Sequence, residues 1–322
     1  MSKQYLAGHR LDQAHPTNIF CLAPTPTALI SASGASSLLI HKTTEPTFPL
    51  QQRIPNAHPL GCHHVCTARG GPGKVAASVG FGCEVKVWRC KDDGEWELWW
   101  QLPEDKTARD VWAVALSADE AYLACSMSTG QVQVWDLTTR ERVQTYETGN
   151  NINQQSFGMA VDLSRDGKLT ASGHQNGSVY VFNNHSGRRA YSLSGLIQPI
   201  RAVAFSPGCK LLAAAGTAGI IAIYDMEHGE QVANLAAPGT NAAWITSLDW
   251  NETGEFLLCG SIDGKIRVWD VTRSVCVATH SETEDTLWSV RWLPKTPGMK
   301  GEWFCAAGVS KTITFYREAT GT

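Results

Sequence analysis

Four residues near position 60 have the side chains of a metal site. Cys62, His63, His64 and Cys66 could supply thiolate and imidazole ligands to a zinc ion. Structural zinc sites pair such ligands at short fixed spacings, and a second pair completes the tetrahedron. Here the spacing is Cys-x-His-x-Cys, and no second cluster completes the set. We therefore predict a β-strand at this position, with no metal and no cofactor.

A glycine-rich stretch from Gly70 to Lys74, with the sequence GGPGK, has the composition of a phosphate-binding loop. Such a loop needs a Ser or Thr directly after the lysine, and it leads into a helix whose N-terminus faces the phosphate. Lys74 is followed by valine, and the next residues have the pattern of a strand. We predict a turn between two strands.

A third group of residues suggests non-covalent binding. Aromatic, histidine or arginine side chains recur once in each of seven successive segments of the chain. These residues are Phe20, His63, Trp112, Phe157, Arg201, Trp244 and Trp288. Their significance depends on the elements that position them.

The stretch GEFLLCGSIDGKIRVWDV, from Gly254 to Val271, has the pattern of a β-hairpin, with Asp263-Gly264 as its two-residue turn. The hairpin recurs along the chain. The residue at the tryptophan position returns after 47, 47, 47, 42, 45 and 47 residues, as His41, Trp88, Trp135, Phe182, Tyr224, Trp269 and Tyr316. A repeat of this length that ends in Trp-Asp is typical of a four-stranded propeller blade. We therefore predict an all-β, seven-bladed propeller of the WD40 type.

The propeller is predicted to occupy residues 1–322 as one domain. The blades should lie at about 14–56, 57–103, 109–148, 156–195, 198–236, 243–280 and 286–317. After Tyr316, too few residues remain for a fourth strand in the last blade. Residues 4–8 precede the first repeat, so we predict that they form the outer strand of blade 7 and close the ring.

Seven aligned positions in the first strand of each blade are predicted to line the central channel. All of them are apolar: Leu22, Val65, Val114, Val161, Val203, Leu248 and Val290. An enzyme of this architecture would place His, Asp, Glu or a metal near the channel axis. We therefore predict that the protein is not an enzyme.

Many propellers of this type hold each blade together with a hydrogen-bonded His-Ser-Asp-Trp set. Blade 6 has Asp263 six residues before Trp269, but most repeats lack this aspartate, with Gly82 and Thr129 in its place in blades 2 and 3. We predict that apolar packing between the sheets provides most of the cohesion.

The first strand of each blade begins on one face of a propeller, which we call the top face. The seven residues of the third group should therefore surround the channel mouth, and residues of these types are typical of binding hot spots. Asp110 precedes Trp112, and Glu284 and Asp285 precede Trp288. Carboxylates beside aromatic rings could pair with an arginine that stacks on those rings. We predict a surface for a partner peptide with a basic residue and an apolar anchor.

The net charge of −3 offers no basic surface for nucleic acid. The N-terminal MSKQYLAGHRL lacks the apolar run of a signal peptide, and no stretch approaches the ~18 apolar residues of a membrane span. The ten cysteines fall mostly at strand positions, which suits a reducing compartment. We predict a cytoplasmic or nuclear protein without disulfides, without direct contact to nucleic acid and without contact to a membrane.

The chain resembles the WD-repeat subunit of the Ski (superkiller) complex, particularly its fungal members. The matching stretches include AHPTNIF, GMAVDLSRDGKLTASGHQNGSVYVF, IRAVAFSPGCKLLA, AWITSLDWNETGEFLLCGSIDGKIRVWDV and the terminal TFYREATG. Together they span all seven repeats. The match is weaker in blades 1 to 3, above all in residues 43–62 and 89–108.

This resemblance implies a non-enzymatic scaffold that joins an RNA helicase to a tetratricopeptide-repeat protein and supports the exosome in 3′ to 5′ decay of cytoplasmic mRNA. It also implies that the top face recognises a short Gln-Arg-containing motif on the tetratricopeptide partner. Relatives of this family join a transcription-elongation complex or the meiotic recombination machinery.

Two other classes of function remain open from the sequence. A hydrolase or lyase propeller would need polar groups in the channel, whereas the positions predicted to line it are apolar. A propeller that reads histones or recruits substrates to a ubiquitin ligase would use the same aromatic face, so the sequence does not separate it from a scaffold.

Overall fold

The computed structural model describes residues 3–103, 110–149, 155–236, 243–281, 284–296 and 300–319. These residues form 28 strands in seven sheets of four, and no helix lies among them. In chain order the strands are β1 Tyr5–Leu11, β2 Ile19–Pro24, β3 Ala28–Ser33, β4 Leu38–Lys42, β5 Leu50–Ile54, β6 Cys62–Thr67, β7 Val75–Gly80, β8 Val85–Cys90, β9 Trp96–Gln101, β10 Val111–Leu116, β11 Tyr122–Met127, β12 Val132–Asp136, β13 Glu141–Tyr146, β14 Gly158–Leu163, β15 Leu169–His174, β16 Val179–Asn183, β17 Arg188–Leu193, β18 Ile200–Phe205, β19 Leu211–Gly216, β20 Ile220–Asp225, β21 Gln231–Ala236, β22 Ile245–Trp250, β23 Phe256–Ser261, β24 Ile266–Asp270, β25 Val275–His280, β26 Leu287–Trp292, β27 Trp303–Gly308 and β28 Ile313–Glu318.

Six blades take their strands in chain order from the channel outwards, from β2–β5 in blade 1 to β22–β25 in blade 6. Every neighbouring pair of strands is antiparallel, as hairpin connections require. In blade 6 the turn glycine Gly264 has a φ of 72°, and Leu257 faces Trp269 across the hairpin. The prediction of an all-β, seven-bladed propeller is confirmed.

Blade 7 consists of β26, β27, β28 and the N-terminal β1. Tyr5 pairs with Glu318 and Leu11 with Ile313, so the strand is longer than the predicted 4–8. The Tyr5 ring is buried against Trp292 and Phe304, with centroids 5.8 and 5.1 Å away. Closure of the ring by the N-terminal strand, predicted from the missing fourth strand, therefore joins residues about 310 positions apart.

The sheets are held together by apolar side chains between neighbouring blades. The tryptophan-position residues of all seven repeats are buried, from His41 in blade 1 to Tyr316 in blade 7. Each apolar cluster combines two adjacent blades; one joins Val87 of blade 2 to Leu123 of blade 3. This packing agrees with the cohesion predicted from the sequence.

Blade 2 nevertheless contains a hydrogen-bonded set that the sequence analysis missed. The Trp88 indole N–H donates to Ser78 Oγ at 2.7 Å, and His58 Nε2 lies 2.7 Å from the same oxygen. His58 Nδ1 donates to Glu84 Oε1 at 2.8 Å. Glu84 takes the role of the usual aspartate. It lies two residues after Gly82, the residue at the aspartate position of the repeat. A longer side chain reaches the same histidine from a later position in the turn.

Six of the seven positions predicted to line the channel do line it, all except Val290. Leu22, Val65 and Val290 are fully buried within apolar clusters between sheets. Charged residues of the same strands, among them Asp162 and Arg291, line the channel as well, so its lining is not wholly apolar as predicted.

All ten cysteines are free thiols. The described residues contain no helix that is long and apolar enough to cross a membrane.

Candidate protein-binding face and channel

A β-bulge recurs at the start of the innermost strand in every blade. The register between the first and second strands shifts around one residue in each case. The residues inside these shifts are Phe20, His63, Trp112, Met159, Arg201, Thr246 and Trp288. A bulge redirects a side chain away from the regular alternation of a strand. Five of the seven predicted binding residues therefore stand at the channel mouth because they occupy the bulge.

The predicted residues of blades 4 and 6 occupy a different position. Phe157 and Trp244 directly precede β14 and β22, and the bulges in these blades hold Met159 and Thr246 instead. Trp244 is 41% exposed, the most accessible aromatic ring of the predicted set.

Six rings form a continuous series across blades 7, 1, 2, 3 and 4, which we call the aromatic arc. The centroid distances between successive rings are 6.2, 5.5, 5.0, 4.4 and 5.2 Å, in the order Trp288, Phe20, Phe81, His63, Trp112 and Phe157. Aromatic pairs prefer such edge-on or tilted geometries. The arc therefore presents a preorganised surface of ring faces and edges at the channel mouth.

Phe81 belongs to the arc although sequence reasoning did not identify it. It lies between β7 and β8, and it is 42% exposed. The available signal was a phenylalanine between Gly80 and Gly82 in a connection that opens on the top face. A ring in such a turn lies outside the apolar core and is therefore exposed on the top face.

His63 connects blades 2 and 3 within the arc. Its Nε2 lies 2.7 Å from the carbonyl oxygen of Trp112 and donates a hydrogen bond to it. Its Nδ1 is buried and has no hydrogen-bond partner among the described residues. Burial lowers the pKa of His63, so the imidazole is neutral and acts as a packing group.

Arg201 and Trp244 form the second part of the face, in blades 5 and 6. The Arg201 guanidinium stacks over the Trp244 ring, with 4.7 Å between the guanidinium carbon and the ring centroid. Burial lowers the pKa of Arg201, and its Nε lacks a partner among the described residues. This pair leaves both a cation and an exposed indole beside the mouth.

The three predicted carboxylates lie just ahead of β10 and β26, the strands that hold Trp112 and Trp288. Glu284 and Asp285 are exposed ahead of β26, and the carboxylate of Asp110 lies near the Cys83 thiol. No ion pair within the described ranges involves any of the three. They are therefore accessible to a basic group from another molecule.

The cysteines and histidines around position 60 do not converge. Cys62 Sγ points to the carbonyl oxygen of Val79 at 3.3 Å, whereas His63 bonds to blade 3. Cys66 lies on the channel side, beside blade 3. In the part of the chain that the structure describes, no three His, Cys, Asp or Glu side chains are grouped as a metal site would require.

The channel, together with its mouth, encloses about 410 Å³. At its lower end, Arg69 of blade 2 reaches across to blade 6, where it forms an ion pair with Asp249 and donates to the carbonyl oxygen of Trp250 at 2.8 Å. Asp249 Oδ2 also accepts the Trp292 backbone N–H at 2.6 Å. Burial lowers the pKa of Arg69 to about 9, and the charges of Arg291 and Arg165 contribute to this decrease.

The GGPGK loop, predicted as a turn, directly follows Arg69 and packs against blade 3. A Cβ on Gly71 would lie 2.1 Å from the carbonyl oxygen of Ala118, so only glycine fits against blade 3. The backbone N–H groups of Lys74 and Val75 both donate to Glu120 Oε1, at 2.7 and 3.0 Å. A side-chain carboxylate thus occupies the donors that a phosphate would need in a phosphate-binding loop.

A closed ring of seven sheets with an aromatic arc at its mouth defines a WD-repeat propeller, a class that generally acts as a non-catalytic scaffold for protein–protein contacts. The family model for the WD domain, G-beta repeat, matches residues 101–136 and 229–270. The chain is 33% identical over 329 residues to meiotic recombination protein rec14 of Schizosaccharomyces pombe, with 99% of each chain covered. It belongs to the WD40-repeat family that includes this protein.

Two further relatives place the chain within this family. It is 25% identical over 399 residues to antiviral protein SKI8 of Saccharomyces cerevisiae, with 100% of each chain covered. It is also 34% identical to small ribosomal subunit protein RACK1y of Oryza sativa over 146 residues, which cover 44% of this chain and 41% of that protein. Similarity to rec14 and SKI8 runs through the whole propeller, whereas similarity to RACK1y covers less than half of it.

Proposed function

We propose that the protein is a scaffold whose top face binds a short segment of a partner protein. The observation that carries this proposal is the aromatic arc. Its six rings are preorganised by mutual contact, so little conformational entropy is lost on binding. The partner segment supplies an apolar anchor for the rings and a basic residue for Asp110, Glu284 and Asp285.

The complex that we propose is of the Ski type. The protein joins a tetratricopeptide-repeat protein to an RNA helicase and supports exosome-dependent decay of mRNA from the 3′ end in the cytoplasm. The stretches that resemble the Ski-complex subunit span all seven blades, and the full-length match to SKI8 agrees with that assignment. In this proposal the propeller contacts neither RNA nor membrane directly.

A second candidate is a role in meiotic recombination. The specific observation in its favour is the match to rec14, which is higher in identity than the match to SKI8. The same top face would then bind a component of the recombination machinery. One propeller can serve both complexes if the two partners carry similar short segments.

The experiment is affinity purification of the tagged full-length chain from vegetative and from meiotic cells. A tetratricopeptide-repeat protein and a helicase in the vegetative sample would support the first proposal, and recombination proteins in the meiotic sample the second. Ubiquitin-ligase or chromatin subunits in place of both would contradict them.

A matched pair of variants tests the role of the face. Trp112→Ala removes a central ring of the arc and should weaken partner binding about 30-fold or more, as expected for a hot-spot tryptophan. Trp99→Ala is the control because Trp99 is a partly buried tryptophan on the outer strand of blade 2, away from the mouth. Equal partner recovery with both variants would place the binding site elsewhere.

A further inference from the structure

The lower end of the channel holds more positive than negative charge among the described residues. Arg69, Arg165 and Arg291 line the same cavity as two carboxylates, Asp162 and Asp249. All five groups sit inside one ring of sheets, with low-dielectric walls that strengthen their interactions. Two of these charges, Arg69 and Asp249, already neutralise one another.

Asp162 does not neutralise the two remaining arginines. Its Oδ2 accepts the Phe205 backbone N–H at 2.7 Å, and no ion pair to an arginine is formed. Burial raises the pKa of Asp162 to about 6, despite the opposing effect of Arg69 and Arg291. With both carboxylates ionised, three guanidinium groups face two carboxylates, so the lower channel carries an excess of at least one positive charge.

Arg291 and Arg165 differ in how they are held. The Arg291 guanidinium is fixed by Ser247 Oγ at 2.7 Å and by the Val290 carbonyl oxygen at 2.8 Å. The Arg165 guanidinium has neither an ion pair nor a hydrogen bond within the described residues. It packs on Gly70, where a Cβ would come within 2.9 Å of its Cζ, and Gly70 has a φ of +74°. Gly70, the residue next to Arg69, has no side chain, and this leaves room for the Arg165 guanidinium.

From this arrangement we infer that the lower channel is a binding site for a phosphate group, held by the free guanidinium of Arg165 with Arg69 and Arg291 behind it. A phosphate group is negatively charged at neutral pH, opposite in sign to the excess charge of the lower channel. Its oxygens can accept from several guanidinium groups at once, and arginine is the side chain best suited to that geometry.

This site is separate from the aromatic face. The rings at the mouth bind through stacking and apolar burial, whereas the arginines lie at the opposite end, beside Pro24, Ala118 and Pro207. Neither residue set needs the other for its chemistry. The two proposals can therefore fail independently.

The test uses the full chain in a chloride buffer without phosphate, titrated with inorganic phosphate at constant ionic strength. A ligand that binds only the folded state stabilises it by RT ln(1 + L/Kd), where L is the free ligand concentration, so Tm rises with that concentration. We expect phosphate to raise Tm and to give a saturable heat of binding, whereas sodium chloride of the same ionic strength should do neither. Identical curves for phosphate and chloride would overturn the proposal.

Arg165→Gln should weaken phosphate binding at least tenfold. It should leave Tm without phosphate close to that of the wild type, because the removed guanidinium has no partner there. The control is Arg188→Gln, which removes the same charge from the exposed start of β17 in the same blade. If both variants bind phosphate as the wild type does, the site is not where we place it.

A second titration, with glycerol 3-phosphate, distinguishes two sources of the same group. Tighter binding of the ester than of inorganic phosphate would identify a phosphorylated small molecule as the ligand. Equal affinity for both would identify free phosphate. Either result supports the site only if Arg165→Gln weakens binding of the compound. Unchanged binding of both compounds by this variant would overturn the proposal.

Discussion

The upper and lower ends of the central channel are built from the same seven innermost strands, yet their side chains make opposite kinds of contact. At the top, rings touch rings across blades, while polar atoms such as Trp288 Nε1 and Arg201 Nε have no partner in the described part of the molecule. At the bottom, Arg69 and Asp249 are paired and Asp249 also accepts a backbone N–H.

This difference separates stability from binding. Unpaired buried polar atoms and exposed rings lower the stability of the free protein. A partner that covers them would restore the lost free energy on binding. Removal of one partner from the Arg69–Asp249 pair is destabilising because the Asp249 carboxylate is buried and also accepts a backbone N–H. Changes in the rings at the top should therefore affect partner binding, whereas removal of one member of the Arg69–Asp249 pair at the bottom should affect folding.

The largest effect should come from a change that opens the ring of blades, because both ends of the channel depend on the closed ring. Deletion of residues 1–10 removes most of β1, exposes the edge of β28 and leaves the cavity around Tyr5 unfilled. We expect the loss of cooperative folding, or a decrease in Tm of more than about 10 °C, because loss of one buried aromatic alone costs about 3 to 5 kcal/mol. Thermal unfolding followed by circular dichroism measures this. An unchanged Tm would show that the ring closes without β1.

The second largest effect should come from the bottom of the channel. Asp249→Ala leaves Arg69 unpaired and the buried Trp292 N–H without its acceptor, which should lower the free energy of unfolding by about 1 to 3 kcal/mol. Denaturant unfolding measures it. Glu284→Ala removes an exposed carboxylate and serves as the control, with an expected change below about 0.5 kcal/mol. Equal values for the two variants would abolish the distinction between the two ends.

A smaller, pH-dependent effect should come from Asp162. The folded state holds this pKa at about 6, above its usual value near 3.8, so the folded protein binds more protons between those values than the unfolded one. Stability from this group is thus complete below pH 4 and is lost as pH rises to 6. Asp162→Asn should remove this dependence while it keeps an acceptor for the Phe205 N–H. Parallel stability curves for variant and wild type from pH 4 to 7 would contradict the assignment.

The smallest effect should come from the acidic residues of the top face. Glu284→Lys combined with Asp285→Lys should weaken binding of a basic partner segment a few-fold, because exposed charge pairs contribute up to about 1 kcal/mol each. The weakening should diminish at high salt, and Tm should stay unchanged. Titration calorimetry at two ionic strengths measures the difference. Affinity that responds to neither the mutations nor salt would leave apolar contact as the sole basis of binding.

The sequence predicted much of the fold because the relevant signals are local. Asp263-Gly264 and Trp269 define one hairpin within a few residues, and its recurrence sets the number of blades. The positions of Phe20, His63, Trp112, Arg201 and Trp288 at the channel mouth were also accessible, since each stands at the start of a repeat. Phe81 was missed because a single ring in a turn has no periodicity to reveal it.

The amino-acid sequence by itself determined the all-β class, the seven repeats and the strand that remains to close the ring, because turn chemistry and alternation act between neighbours along the chain. The tertiary structure alone decided where the bulge in each innermost strand lies, and therefore which side chain it redirects at the channel mouth. It also decided that Arg69 meets Asp249, 180 positions away. No local pattern encodes a contact that exists only after the ring has closed.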